Sequence, residues 1–247
     1  MNRFALIVLK NLRDIPMAYG RLCHCAKHVN EYSDQERWIL VQSILKRAVD
    51  TGNVKLNVFG QENIPNKNGF LMYGNHQGLF DVVAVAASCD TPLGAIFKKE
   101  LMNVPLVKQI TICTKSFAMD REDIRQSMKV IQAVTNEVCQ GKNYLIFPEG
   151  TRSKEGNQML DFHSGSFRCA LKAKCPIIPI ALIDSYKVLD QKGSKPVTVQ
   201  IHYLQPILYQ DYKGMTTKEL ATLVQSRIHD TIRAFACTES EQTGACF

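Results

Sequence analysis

Apolar residues divide the chain into a helical beginning and a longer region of alternating patterns. Within residues 4–15 they recur at helical spacing until Pro16, and a second apolar cluster occupies residues 38–45. Spacing of three or four residues places such side chains on one face of a helix. We therefore predict two amphipathic helices, both carrying basic side chains, within residues 1–53.

From residue 54 onward, short runs of strand-like residues alternate with stretches of helical spacing. The predicted strands are residues 54–59, 70–73, 94–97, 144–148, 177–182 and 197–204. The predicted helices are residues 81–88, a segment from residue 124 that stops at Gly141, and residues 217–236. Such alternation is typical of an α/β domain, which we place at residues 54–236. The polar residues that follow have little to bury, so residues 237–247 are predicted to form a flexible tail.

The net charge says more about binding partners than the amino-acid composition does. The 247 residues are 45% hydrophobic and 21% charged, which is ordinary for a globular domain with an appendage. The formal net charge of +7 favours anionic partners, such as phosphorylated molecules or an anionic membrane surface. Because no nucleic-acid recognition motif occurs and the basic residues are spread along the chain, we expect no nucleic-acid partner.

The cysteines indicate a reducing compartment and no metal site. Nine cysteines form an odd set without a zinc-ribbon pair, which fits reduced thiols in the cytosol. Cys23 and Cys25 flank His24, but a second pair of ligands is missing from this cluster. A structural zinc site needs four ligands, so we expect no metal here.

The longest early apolar run is too short to cross a membrane. It covers residues 4–9, whereas a spanning helix needs about 20 apolar residues. Lys10 and Arg13 interrupt the pattern, and no clear cleavage site follows, so the segment is a poor signal peptide. We therefore expect a soluble or peripheral protein without a transmembrane helix.

A histidine and an aspartate follow the predicted strand at residues 70–73. Asp81 comes five positions after His76 and begins the next predicted helix. Proteins of the α/β class place reactive groups at such strand ends, and a histidine oriented by a carboxylate can take a proton from a hydroxyl group. On these two residues alone, an alternative is that Asp81 caps the helix and His76 has no chemical role.

A second candidate segment, residues 147–153, follows a later predicted strand. Its sequence is Phe-Pro-Glu-Gly-Thr-Arg-Ser. Gly150 and Thr151 permit a tight turn with exposed backbone N–H groups, and Arg152 offers donors that match the oxygens of a phosphate group. The alternative is an ordinary polar loop with a solvated arginine.

The two segments, in this order and about 70 residues apart, resemble the signature of the 1-acylglycerol-3-phosphate acyltransferase family. The family's most specific blocks, N-H-x-x-x-x-D and F-P-E-G-T-R-S, correspond to residues 75–81 and 147–153. Weaker blocks of the family resemble residues 98–105, 117–121 and 177–180. The resemblance covers roughly residues 54–236 and implies a mixed sheet flanked by helices, as in other glycerolipid acyltransferases.

The resemblance implies an enzyme of phospholipid biosynthesis that moves a fatty acyl group from a thioester to the sn-2 hydroxyl of 1-acylglycerol 3-phosphate, forming phosphatidic acid. His76 would be the base and Asp81 its partner. The residues implied to bind the substrate are Lys98, Arg121, Glu149, Gly150, Thr151 and Arg152. The donor would be acyl-CoA or an acyl carrier protein, with no cofactor and no metal. For Lys98 and Arg121 the alternative is a solvated surface charge.

One block departs from the family pattern. Where the family often has F-K-K-G-x-F, residues 162–167 carry His163 and Ser164 in place of the two lysines. The local positive charge is therefore lower, which leaves open how the anionic carrier of the acyl donor is held. We interpret His163 as a loop residue and not as a second base.

The lipid substrates that the resemblance implies occur in membranes, so we predict that the N-terminal helices bind an anionic membrane surface. We expect a cytoplasmic protein that is held peripherally on the inner face of the cell membrane. The basic residues that accompany their apolar face are Arg3, Lys10, Arg13, Arg21 and Lys27. Basic amphipathic helices lie in the plane of the membrane interface, although these helices could instead pack on the domain. Two other functions stay open: acyl transfer to glycerol 3-phosphate or another lysophospholipid, and catalytically silent binding of lipid.

Overall fold

A twisted sheet between two layers of helices holds the chain together. The computed structural model describes the backbone of residues 2–242 and the side chains of residues 2–235. Seven strands in this part of the chain form the sheet in the order β1-β7-β6-β2-β5-β3-β4. The strands are β1 (Val54–Phe59), β2 (Leu71–Gly74), β3 (Gly94–Lys98), β4 (Phe117–Met119), β5 (Tyr144–Ile146), β6 (Ile177–Ile183) and β7 (Val197–Tyr203). The six predicted strands are all present, within two residues at each end.

The sheet is mixed, as predicted. Strands β6, β2, β5, β3 and β4 run parallel to one another, β7 pairs antiparallel with β6, and β1 pairs parallel with β7. Strand β4 was not predicted, because its three residues at the sheet edge are too few to show a period. The parallel strands bring their carboxyl ends to one edge of the sheet, where α/β proteins bind ligands.

Helices cover both faces of the sheet. They are α1 (Arg3–Lys10), α2 (Ile15–Lys27), α3 (Asp34–Thr51), α4 (Asp81–Ser88), α5 (Val107–Cys113), α6 (Ile124–Cys139), α7 (Arg168–Ala173), α8 (Tyr186–Leu189), α9 (Tyr209–Tyr212) and α10 (Thr217–Gln242). Helix α4 has the predicted bounds. At the start of α10 the Thr216 hydroxyl accepts from the Glu219 N–H, and the Glu219 carboxylate accepts from the Thr216 N–H, which completes a capping box.

Alternating side chains of the strands divide the core into two layers. Leu71 and Tyr73 of β2 pack with α6, α7 and α10, whereas Met72 packs with α3 and α4 on the opposite face. Every residue of β6 is buried, as expected for a central strand covered on both faces. Burial on both faces fixes the register of β2, and with it the position where the chain leaves the sheet.

Three helices, and not the predicted two, precede β1. Helix α1 ends at Lys10, and Pro16 lies in the first turn of α2. A proline at that position loses no helical hydrogen bond, so it begins a helix there and does not end one. Pro16, which the sequence pattern predicts to end the first helix, instead lies at the start of α2.

The boundary predicted at residue 53 does not separate an appendage from the domain. The indole N–H of Trp38 in α3 donates to Cys89 O at 3.1 Å, and its ring is buried in the core. Arg3, predicted as a surface cation, is 2% exposed and donates to Gly52 O and Val188 O. Both ends of the N-terminal segment are thus fastened to the rest of the fold.

Helix α10 continues beyond its predicted end at residue 236. Its backbone is helical through Gln242, so the first part of the predicted tail, residues 237–242, belongs to the helix. Residues 243–247 lie outside the described residues, and the flexibility of that part of the tail stays a prediction.

Candidate active site

The site is built where β2 ends, between its neighbours β5 and β6. Asn75, the first residue after β2, donates its side-chain amide to Leu182 O at 2.9 Å and accepts from Leu182 N at 2.8 Å. These two bonds extend the pairing with β6 by one residue and fix the backbone immediately before His76. Asn75 was not among the predicted site residues, although it belongs to the motif.

His76 and Asp81 meet as the motif predicted. His76 Nδ1 lies 2.6 Å from Asp81 Oδ2. Because the carboxylate accepts, Nδ1 carries the proton and Nε2 keeps its lone pair. Among the side chains and backbone groups that the structure describes, Nε2 has no hydrogen-bond partner, and the His76 side chain is 15% exposed. The free nitrogen is therefore available to a ligand.

Four donors hold the Asp81 carboxylate in place. Besides His76, the backbone N–H groups of Gln77 and Gly78 donate to Oδ2 at 2.6 and 2.9 Å, and the Ser185 hydroxyl donates to Oδ1. Asp81 is 0% exposed, so an ionised carboxylate needs such partners. Ser185 was not predicted because 104 residues separate it from Asp81 and no local pattern marks it.

Glu149 connects the two motif segments. Its Oε1 accepts from the His76 N–H at 2.8 Å, and its Oε2 accepts from the Leu160 N–H at 3.0 Å. Burial raises the pKa of Glu149 to about 7, Asp81 adds to this rise, and the two N–H bonds oppose it. Its oxygens are thus used within the protein, and contact with a substrate phosphate stays a prediction.

The turn after Glu149 offers unpaired donors. Gly150 has φ 69°, a left-handed conformation that favours glycine. Among the described residues, the N–H groups of Thr151 and Arg152 and the Thr151 hydroxyl have no hydrogen-bond partner. Successive free N–H groups in such a turn form a concavity suited to an anion.

A groove of about 810 Å³ opens beside this turn. Its apolar wall consists of Ile96, Met119, Ile124, Met128, Ile131, Ile146, Phe147 and Pro148. Phe147 also stacks on the His76 imidazole, with ring centroids 4.4 Å apart. The groove therefore approaches the histidine through a shared aromatic wall, and its size and apolar lining suit a hydrocarbon chain.

The predicted binding residues separate into two groups. Arg121, Glu149, Gly150 and Thr151 line the groove. Arg121 is exposed and has no ion-pair partner among the described residues. Glu100 attracts its guanidinium without forming a close ion pair, so the side chain can still meet an anion at this end of the groove.

Lys98 and Arg152 lie apart from the groove lining and are paired within the protein. Lys98 Nζ lies 3.5 Å from Glu100 Oε1, and the Arg152 guanidinium pairs with Asp190. Asp190 also accepts from the Leu79 N–H at 2.9 Å, so this ion pair ties the two motif segments together. Asp190 was not predicted, since it lies in neither motif. Binding of substrate by Lys98 or Arg152 stays a prediction.

The sequence of this chain is similar to those of known acyltransferases. The sequence model of the acyltransferase family matches residues 55–183, which include His76, Asp81 and the turn at Gly150. A 1-acyl-sn-glycerol-3-phosphate acyltransferase of Salmonella typhimurium is 28% identical over 184 residues, which cover 72% of this chain and 74% of the relative. The corresponding protein of Borreliella burgdorferi is 28% identical over 148 residues, 60% of this chain and 59% of its own length.

The fold has a counterpart among solved structures. The crystal structure of a 1-acyl-sn-glycerophosphate acyltransferase from Thermotoga maritima superposes with a TM-score of 0.74 at 20% sequence identity. The match covers 94% of this chain and 96% of the other, which confirms the predicted fold class. Because the family's sequence model spans more than half of the residues, the chain belongs to the acyltransferase family.

Proposed function

We propose that the protein transfers a fatty acyl group from an acyl thioester to the sn-2 hydroxyl of 1-acylglycerol 3-phosphate, giving phosphatidic acid. The observation that carries this proposal is the His76–Asp81 pair with its free Nε2, beside an apolar groove that ends at an open turn. The relatives named above are 1-acylglycerol-3-phosphate acyltransferases, which supports this acceptor.

In the proposed reaction, His76 acts as a general base. Its Nε2 takes the proton of the acceptor hydroxyl while the oxygen attacks the thioester carbonyl, and Asp81 stabilises the imidazolium that forms. The tetrahedral intermediate then collapses, the carbon–sulfur bond breaks, and the imidazolium returns its proton to the leaving thiolate. Acyl-CoA and acyl carrier protein both supply such a thioester, so the donor is a question for experiment.

The proposed site for the acceptor's phosphate is the turn at Gly150 and Thr151 together with Arg121. A phosphomonoester carries close to two negative charges at neutral pH. The free N–H groups of the turn and an unpaired guanidinium match that charge. The adjoining apolar wall would then hold an acyl chain.

Glu149 acts in this proposal as a positioning residue. A buried carboxylate would repel a phosphate, whereas its bonds to the His76 and Leu160 N–H groups align the histidine with the turn. This differs from the role in substrate binding that the family resemblance implied.

The first two helices are the proposed membrane contact. Leu6 and Leu22 are buried, and Leu22 packs with Val41 and Cys113. In contrast, Phe4, Leu12 and Met17 are 63%, 62% and 65% exposed. The exposed cations that accompany them are Lys10, Arg13, Arg21 and Lys27. Within residues 2–242 no helix is long and apolar enough to cross a bilayer. We propose peripheral association with an anionic membrane surface, for which the inner face of the cell membrane is our expectation.

A panel of substrates tests the proposed function. Acyl-CoA and acyl carrier protein thioesters are each combined with lysophosphatidate, glycerol 3-phosphate or lysophosphatidylcholine, and released thiol and lipid products are measured. We expect thiol release that depends on lysophosphatidate and yields phosphatidate by mass spectrometry. A preference for glycerol 3-phosphate would redefine the acceptor. No release with any pair, by folded protein on anionic vesicles, would indicate a silent lipid-binding protein.

A further inference from the structure

One histidine on the groove wall, His163, takes no part in the proposed reaction. The imidazole of His163 packs against the turn: a Cβ atom at Gly150 would lie 2.9 Å from His163 Cδ2 and 3.2 Å from Nε2. The His163 N–H donates to Pro148 O at 2.8 Å, which fastens its backbone to the segment before the turn. The backbone of His163 is thus fixed beside the proposed phosphate site, and its ring lies next to Gly150.

The ring nitrogens of His163 are unused. Neither has a hydrogen-bond partner in the described part of the chain, and the His163 side chain is exposed and lines the groove. The N–H and hydroxyl of Thr151, on the same groove wall, are also unpaired. An imidazolium adds two donors and a positive charge to this set.

The charge around His163 favours an anion. The other ionisable side chains on the groove walls are Arg121, Lys129, Glu149, Arg168 and Lys172. Four of these five are cationic, and both oxygens of Glu149 are bound to backbone N–H groups of the protein. Asp161 precedes His163 in its own segment and is exposed to solvent. An anion in the groove would therefore meet mostly positive charge.

We propose that His163, in its imidazolium form, binds the phosphate group of the acyl acceptor together with the turn at Gly150 and Thr151. This inference rests on the proposed function and adds a residue that sets how acceptor affinity depends on pH. Histidine side chains change charge between about pH 5 and pH 8. As the imidazole loses its proton, the acceptor loses a charge-assisted hydrogen bond, and its affinity falls.

The test compares the native protein with His163→Lys and His163→Gln at pH 6 and pH 8. Between pH 6 and pH 8, the KM of the native protein for lysophosphatidate should rise by a factor about ten times larger than the KM of His163→Lys. The reason is that the lysine side chain keeps its charge over this range. His163→Gln should show the high KM at both pH values. Titration of Glu149 and of the substrate phosphate is common to all three proteins and cancels in the comparison.

Matched controls separate this effect from general loss of charge or fold. Arg125→Gln removes an exposed cation of α6 that does not line the groove, and its KM should follow the native profile. Thermal melts of each variant establish that it is folded. The proposal would be overturned if the KM for lysophosphatidate changed equally with pH in the native protein and in His163→Lys. It would also be overturned if His163→Gln had the same KM as the native protein at pH 6. A change confined to the KM of the acyl donor would also contradict it, since the phosphate would then belong to the donor.

A second readout does not depend on turnover. In protein with isotope-labelled histidine, the imidazole signal of His163 is titrated by NMR with and without glycerol 3-phosphate. Because binding and protonation are linked reciprocally, we expect the ligand to shift the titration midpoint of this signal upward. An unchanged midpoint at saturating glycerol 3-phosphate would refute the contact. If the native protein showed no acyl transfer while the midpoint moved, the proposed function would fail and the phosphate site would stand.

Discussion

At the scale of single residues, the site depends on what each buried polar group does with its hydrogen bonds. Asp81 is fully buried and accepts from four donors, so it is an orienting group for His76 and not a loose surface charge. The sequence predicted the His76–Asp81 contact because five residues separate them across one short turn. Ser185 and Asp190 were not predicted, because they follow β6 and are more than 100 residues from this turn in sequence. Only the folded sheet brings them into contact with it.

Glu149→Gln tests the buried carboxyl group. The pKa of Glu149 is about 7 in the folded chain and about 4.5 without the fold, so its stabilising contribution is full below about pH 4.5 and is lost as pH rises through 7. Glutamine does not titrate. We expect the free energy of unfolding of Glu149→Gln, relative to native, to rise by about 2 to 3 kcal/mol between pH 5 and pH 8.

Urea denaturation at both pH values measures this change. The glutamine amide leaves one backbone N–H unpaired, so the variant should also carry a constant loss of about 1 to 3 kcal/mol. Glu155→Gln, at an exposed glutamate nearby, is the control. An equal difference from native at pH 5 and pH 8 would contradict a raised pKa in the fold.

At the scale of elements, the loop between β2 and α4 is shaped by the packing of α8 against it. A Cβ atom at Gly78 would lie 2.5 Å from Asp190 Oδ2 and 3.0 Å from Tyr186 Cα. Short runs of strand-like residues predicted six strands, and the position of Asp81 directly after a strand and a turn predicted α4. Strand β4 and the short helix α8 have too few residues to show a pattern, and Pro16 predicted the end of a helix at the point where α2 begins.

Gly78→Ala tests whether this close packing positions the histidine. We expect the added methyl group to displace the loop from α8 and to lower kcat about 10- to 100-fold, because catalysis is sensitive to displacements of about 1 Å. Steady-state acyl transfer measures kcat, and a thermal melt shows separately whether the variant is folded. Gly20→Ala adds a methyl group with no atom within 4 Å and serves as the control. Native kcat in folded Gly78→Ala would show that the packing is not needed for activity.

At the scale of the whole molecule, one surface combines exposed apolar and basic side chains. Leu12 and Met17 are more than 60% exposed at the junction of α1 and α2, and Arg13 lies between them in sequence. The sequence predicted an amphipathic, basic N-terminal segment. It did not show that Arg3 is buried or that α3 belongs to the core, since both depend on contacts with distant parts of the fold.

Leu12→Asp combined with Met17→Asp tests the membrane contact. Two carboxylates at the apolar surface should weaken binding to anionic vesicles at least tenfold, because apolar burial is lost and like charges repel. Vesicle co-sedimentation measures binding, and transfer to a short-chain, monomeric acceptor should persist. Ile39→Asp, at an exposed apolar residue of α3, is the matched control. Equal vesicle binding by the double variant and the control would place the membrane contact elsewhere.

The central claim is that His76 acts as a base oriented by Asp81, and acceptor-dependent thiol release tests it most directly. The native protein is compared with His76→Ala, Asp81→Asn and the control His229→Ala, at an exposed histidine of α10. The account predicts native activity for His229→Ala, loss of about 10²- to 10⁴-fold in kcat for Asp81→Asn, and at least as large a loss for His76→Ala. Retention of native kcat by folded His76→Ala would contradict it.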